Sequence, residues 1–179
     1  KQICTQKHSE RTIKEADRVG DAYAALSWLR QQPGIDPGHI GLLGWSHGGG
    51  VTLDAIRRKP ANMLEGFSAA VSFYPGCTTR NKKAASFKPY APLLILIGEA
   101  DDWTPAASCV ALTNTARMHG AAMQILTYPG AYHDFDHPGL SKIRLRADVP
   151  NGVNPGKGVY TGPDPEAREY AKRRTLEFF

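Results

Sequence analysis

Residues 40–50 read "IGLLGWSHGGG", and this stretch decides how the rest of the chain is read. Four apolar-run residues end at Leu43, a serine stands between two bulky neighbours at position 46, and glycines fence it at 44 and from 48 onward. A short apolar run that stops at glycines and passes into a helical pattern is a strand feeding a helix through a tight turn. Such a turn pushes the Ser46 hydroxyl out above the sheet, and its crowded backbone is expected to exclude side chains at Gly44 and Gly48. The helix beginning at His47 aims its positive end and its unpaired amides at the same point, which makes the His47 N–H a candidate donor to an oxyanion. A phosphate-binding loop is disfavoured, because neither a lysine after the glycines nor a GxGxxG pattern is present.

Working outward, the chain alternates helix and strand. Thr12 and Glu15 form a capping-box pattern, and Ile13, Ala16, Val19, Tyr23, Leu26 and Leu29 follow at helical spacing until Pro33-Gly34. After the run 40–43 a helix is expected over 47–59, ended by Pro60, and then a strand over 67–74. The stretch "APLLILIG" (91–98) is apolar throughout, as a strand covered on both faces requires. A helix over 105–119 closed by Gly120, a strand in "MQILTYPG" (123–130), and a last helix with Asp164 as N-cap and Pro165 at its first position complete the series. Strands separated by helices imply right-handed crossovers, and so an α/β fold with a parallel sheet and flanking helices. No internal repeat is visible, and the 179 residues are expected to form one domain. Residues 138–163, rich in glycine and proline, are expected to be a long loop acting as a lid or rim, or a surface insertion.

The loops leaving the C-terminal strand ends of a parallel sheet gather on one edge, where ligands bind. A serine is a poor nucleophile unless a base takes its proton and a third group orients that base. Two further strand exits supply both: "GEADDWTP" (98–105) carries Asp101 and "YPGAYHDF" (128–135) carries His133. The order Ser46, Asp101, His133 is that of hydrolases built on a strand-to-helix elbow. Spacing alone does not separate Asp101 from Asp102; the G-x-x-D-x-x-T-P pattern of Gly98, Asp101, Thr104 and Pro105 favours Asp101. His137 is pinned by Pro138 into the following loop, and His47 points its side chain away from the serine, which leaves His133 as the base. The cluster "HDFDH" has metal-ligand residue types but no distant partner, so no metal is expected. Trp45, Trp103 and Tyr132 flank the three positions and are candidates for an apolar substrate wall.

These segments resemble the dienelactone hydrolase family of the α/β-hydrolase superfamily, with "IGLLGWSHGGG", "LLILIGEADDWTPAASC", "YPGAYHDFDHP" and the closing "GPDPEAREYAKRRTLEFF" carrying the likeness. The resemblance implies Ser46 as nucleophile, Asp101 as acid and His133 as base, acting on an ester or lactone through an acyl-enzyme without a cofactor. Well-known members carry cysteine where Ser46 stands, which points to the wider esterase-like relatives. Fewer than fifty residues precede Ser46, so the chain is expected to be a C-terminal portion lacking the fold's early N-terminal strands. Those strands would bring the second oxyanion donor and substrate-binding charges, and the edge left beside the Ser46 strand could be covered in a homodimer. Two alternatives stand beside the esterase: a serine peptidase of the oligopeptidase type, and a non-catalytic binding module on a hydrolase scaffold.

Composition narrows the partners. The formal charge is +5, but the basic residues are scattered rather than interleaved with aromatics, which disfavours nucleic acid. No stretch is long and apolar enough to span a membrane. Cys77 and Cys109 follow neighbouring strands and could be bridged across the edge that carries Ser46. A bridge would imply an oxidising compartment, secreted or periplasmic; the alternative is two buried thiols, with Cys4 as the odd third cysteine.

Overall fold

The computed structural model describes residues 3–61, 63 and 65–179. Its centre is a parallel four-stranded sheet with the order β1 (Leu42–Trp45), β2 (Ala70–Phe73), β3 (Leu93–Gly98) and β4 (Met123–Tyr128). Among the described residues five α-helices accompany the sheet: α1 (Glu15–Leu29), α2 (His47–Arg57), α3 (Thr78–Asn81), α4 (Ala106–Met118) and α5 (Pro165–Phe178). The α/β class and parallel pairing expected from the alternation of runs are therefore present. Every residue of β2 and of β3 is buried, as the continuous apolar run "LLILIG" requires of a strand covered on both faces. Helix α2 packs against β1 and β2, α1 lies on α2, and α4 covers β3 and β4. No helix among the described residues is long and apolar enough to cross a membrane.

Several boundaries differ from the sequence expectation for local physical reasons. The first helix starts at Glu15 rather than with a Thr12–Glu15 box, because the Asp17 carboxylate accepts the Lys14 N–H at 2.8 Å and takes the capping role. Glu15 is thereby released to pair with Arg80 at 2.5 Å, and Ile13 lies outside the helix and half exposed. The strand read at 40–43 runs instead to Trp45, directly beneath Ser46, since Trp45 pairs with Phe73 and the Ser46 N–H donates to the Phe73 carbonyl at 3.0 Å. Helix α2 stops at Arg57. The last helix begins as expected, with the Asp164 carboxylate accepting the Ala167 N–H at 3.0 Å.

The segment 138–163 is not a plain loop. It contains an antiparallel hairpin, β5 (Arg144–Arg146) paired with β6 (Val159–Thr161). Gly158 at φ +77° turns the chain into β6, and Ile143 lies where a side chain on Gly162 would stand. Val149 between the two strands and Val159 and Thr161 of β6 are buried, and Thr161 pairs with His133, which ties this rim to the exit of β4. Asp102 fastens it further, accepting the Tyr160 N–H on Oδ1 at 2.9 Å and the Val153 N–H on its carbonyl at 2.8 Å.

Cys77 and Cys109 form a disulfide that joins the loop after β2 to helix α4. Closing a 32-residue separation in this way restricts the unfolded chain by roughly 3 to 4 kcal/mol in the chain-entropy picture.

Candidate active site

All three candidate residues sit at C-terminal strand exits: Ser46 after β1, Asp101 after β3 and His133 after β4. Ser46 occupies φ 52°, ψ −114°, a region that a residue with a side chain adopts only at a cost of order 1–3 kcal/mol. The conformation is held from both sides, by the Ser46 N–H on Phe73 and by the Gly50 N–H on the Ser46 carbonyl, each at 3.0 Å. Gly44 is required for this turn, because a Cβ there would collide with the Gly48 carbonyl oxygen and the Thr52 hydroxyl. The expected crowding at Gly48 is absent: among the described residues nothing lies within 4 Å of where its Cβ would stand. Crowding falls instead on Gly49, against β2, and on Gly50, against the Glu15 carboxylate, since the helix turns those positions inward.

The three side chains form one connected relay. Ser46 Oγ lies 2.9 Å from His133 Nε2, and His133 Nδ1 lies 2.7 Å from Asp101 Oδ2. A carboxylate can only accept, so Nδ1 carries the proton and Nε2 is left free to accept from the serine. Asp101 is 4% exposed and cannot swing, because its Oδ1 accepts the N–H groups of Trp103 at 2.9 Å and Thr104 at 2.8 Å. The Thr104 hydroxyl lies 2.9 Å from Asp101 Oδ2 and 3.0 Å from the Tyr74 carbonyl, tying the acid loop to the exit of β2.

His133 is wholly buried, with its imidazole between the rings of Tyr74 and Trp103 at centroid distances of 4.5 and 4.6 Å. Burial alone pulls its basicity down; the Asp101 carboxylate, with Asp134 and Asp136 adding to it, more than offsets this, and the group ends above its ordinary value of 6.5. The His47 side chain turns away from Ser46 toward Glu15, its Nδ1 3.7 Å from Oε1. Burial pushes it below 6.5, Glu15 opposes, and Arg18, Arg11 and Arg80 reinforce the downward direction. The net direction favours the uncharged imidazole, and the His47 N–H, the first of α2, has no acceptor within the helix.

The aromatic candidates separate. Trp103 lies on the imidazole. Trp45 is 45% exposed, stacks on Phe73 at 5.6 Å, and donates its indole N–H to Asp136 at 2.7 Å. Tyr132 packs on Tyr160 of the hairpin at 5.9 Å. The "HDFDH" residues diverge: His133 faces Asp101, Phe135 enters the core, Asp136 turns to Trp45 and Tyr74, and exposed His137 accepts the Gly139 N–H. Among the described residues no group of His, Cys, Asp or Glu is arranged to hold a metal ion.

Sequence reasoning missed Tyr74, whose φ of +36° gives no sequence signal, and Arg80, which lies under the elbow helix. Arg80 donates to the carbonyls of Gly50 at 3.0 Å and Gly76 at 2.6 Å and pairs with Glu15 and Asp54, so it ties α1, α2 and the loop after β2 together. The sequence around Arg80 gives no hint that it is buried.

Comparison with known proteins agrees with this architecture. The model of the dienelactone hydrolase family matches residues 1–179. A Bradyrhizobium protein assigned as a 2-oxo-3-(5-oxofuran-2-ylidene)propanoate lactonase is 25% identical over 128 residues, 69% of this chain and 51% of its own length. A solved Klebsiella pneumoniae protein assigned as a dienelactone hydrolase superposes with a TM-score of 0.71 at 19% identity, over 93% of this chain and 62% of that one. Esterase 2 of Thermogutta terrifontis, solved after phosphoramylation by tabun, superposes with a TM-score of 0.63 at 22% identity, over 94% of this chain and 67% of that one. At these identities the structural likenesses establish the fold. The chain spans about half the length of that lactonase relative.

Proposed function

Because the chain belongs to the dienelactone hydrolase family, we propose that it hydrolyses a small carboxylic ester or lactone through an acyl-enzyme on Ser46. The single observation that carries this reading is the unbroken relay from Ser46 Oγ through the His133 imidazole to Asp101. His133 Nε2 takes the hydroxyl proton as Ser46 Oγ attacks the substrate carbonyl carbon. Asp101 holds the imidazole in the accepting tautomer and stabilises the imidazolium that forms. The negative oxygen of the tetrahedral intermediate meets the His47 N–H at the positive end of α2. The imidazolium then protonates the departing alkoxide oxygen, which in a lactone stays tethered to the acyl group. Water, deprotonated by the same imidazole, attacks the acyl-enzyme and releases the acid with Ser46 restored. Trp103, packed on the His133 imidazole, supplies apolar surface beside the scissile bond, and water is the sole co-reactant.

The test is steady-state hydrolysis of p-nitrophenyl acetate, a five-membered lactone and a peptide p-nitroanilide by the 179-residue chain and by Ser46→Ala. The reading expects ester and lactone turnover that Ser46→Ala abolishes, with the anilide far slower. Preferential cleavage of the anilide would move the assignment to a peptidase, and ester turnover surviving in Ser46→Ala would overturn the nucleophile.

A further inference from the structure

Ser46 and His133 lie 87 residues apart on two different strand exits, yet their reacting atoms are within 2.9 Å. Something must hold the two loops in register. Asp136, three residues beyond His133, reaches the exits of β1 and β2 with its two oxygens. Oδ2 accepts the indole N–H of Trp45, the residue directly before the nucleophile, at 2.7 Å. Oδ1 accepts the hydroxyl of Tyr74, whose ring lies on the His133 imidazole, also at 2.7 Å. Beneath them Phe135 is wholly buried against Phe73, Tyr74 and Tyr128, so Asp136 projects from a fixed point of the core.

We infer that Asp136 is a positioning residue: its carboxylate fastens the neighbour of the nucleophile, and the ring packed on the base, to the loop that carries the base. The inference rests on the hydrolase reading of Ser46 and His133. Asp136 is not required to touch substrate. Its two acceptors are spent on donors that the exits of β1 and β2 present, and each is charge-assisted and therefore stronger than a neutral hydrogen bond. Without it the indole and the phenol lose their shared anchor, and the Ser46–His133 separation is no longer set by the loops. A misplacement of about 1 Å between reacting groups costs about 100-fold in rate.

Asp136→Ala removes both bonds, while Tyr74→Phe and Trp45→Phe each remove one and keep an aromatic ring in place. In p-nitrophenyl ester hydrolysis Asp136→Ala is expected to lower kcat by about 10- to 100-fold with KM within about two-fold of wild type. Each single-bond variant should show a smaller loss, and adding Tyr74→Phe to Asp136→Ala should cost nothing further. The charged groups raising the His133 basicity are Asp101, Asp134 and Asp136, so the rising limb of the pH profile should also move down in Asp136→Ala. A crystal structure of Asp136→Ala should show Ser46 Oγ and His133 Nε2 beyond hydrogen-bond reach. Unchanged kcat, or additive losses in the double variant, with the 2.9 Å contact retained would overturn the inference while leaving the hydrolase reading intact. If the wild type hydrolyses no ester, the hydrolase reading fails, and the Ser46–His133 distance in the variant still decides whether Asp136 holds the pair. Should Asp136→Ala not fold, the two single-bond variants carry the same test.

Discussion

Replacing Asp101 by asparagine should be more damaging than the near identity of shape suggests, and the structure says why. One carboxylate oxygen, Oδ1, accepts two backbone N–H groups, from Trp103 and Thr104. An asparagine must place its carbonyl oxygen there, because an amide NH2 would face two donors. Its NH2 then occupies the Oδ2 position, 2.7 Å from His133 Nδ1, where it donates. That donation forces the imidazole proton onto Nε2, opposite Ser46 Oγ, and the base can no longer accept from the nucleophile. Wrong-tautomer substitutions of this type cost about 10⁴-fold in kcat, equivalent to about 5.5 kcal/mol of transition-state stabilisation. Asp101→Ala leaves the tautomer unconstrained and should lose no more than Asp101→Asn. Ester hydrolysis at saturating substrate, with circular dichroism to confirm folding, measures both. A folded Asp101→Asn retaining more than about a tenth of wild-type kcat would refute the assignment of Oδ1 as the pinned oxygen and with it the tautomer argument.

Other expectations follow from single contacts. The net upward shift of His133 means that the imidazole holds its proton to higher pH, so kcat/KM should rise through a midpoint above 6.5, and Asp101→Asn should move any residual limb downward; a pH–rate profile reads both. Gly44→Ala, driven into the Gly48 carbonyl and the Thr52 hydroxyl, should cost about 1–3 kcal/mol in a urea unfolding midpoint. Gly48→Ala faces open space and should be neutral or gain up to about 1 kcal/mol from the loss of a helical glycine. Replacing Cys77 and Cys109 together by alanine should lower stability by roughly 3 to 4 kcal/mol, with reduction of the wild type reproducing the effect.

The sheet was legible because its strands leave strong local signals: "LLILIG" is apolar at every position, and Pro60 and Gly120 follow within three residues of the ends of α2 and α4. The three relay residues were legible for a related reason, since a polar residue at a strand exit after an apolar run has few structural uses. What sequence could not reveal depends on contacts between distant segments. The hairpin within 138–163 exists because Asp102 and the buried Val149, Val159 and Thr161 anchor strands of only three residues each, too short for a periodic pattern. Gly48 resembled Gly44 in the motif, and the difference between open space and a collision lies in what packs against each. Nothing in the sequence around Arg80 marks it as buried, yet its side chain is 8% exposed, because Glu15 and Asp54 meet it from two other helices. Asp136 looked like one member of an acidic and histidine-rich run, and its partners, Trp45 and Tyr74, are 91 and 62 residues away.

The central claim is that Ser46 is an activated nucleophile, and covalent capture tests it most directly. The 179-residue chain is incubated with a fluorophosphonate, and intact mass and peptide mapping are compared with Ser46→Ala. One adduct, mapped to Ser46 and absent from Ser46→Ala and Asp101→Asn, is the predicted result. A folded chain that gains no adduct, or gains it at another residue, would contradict the account.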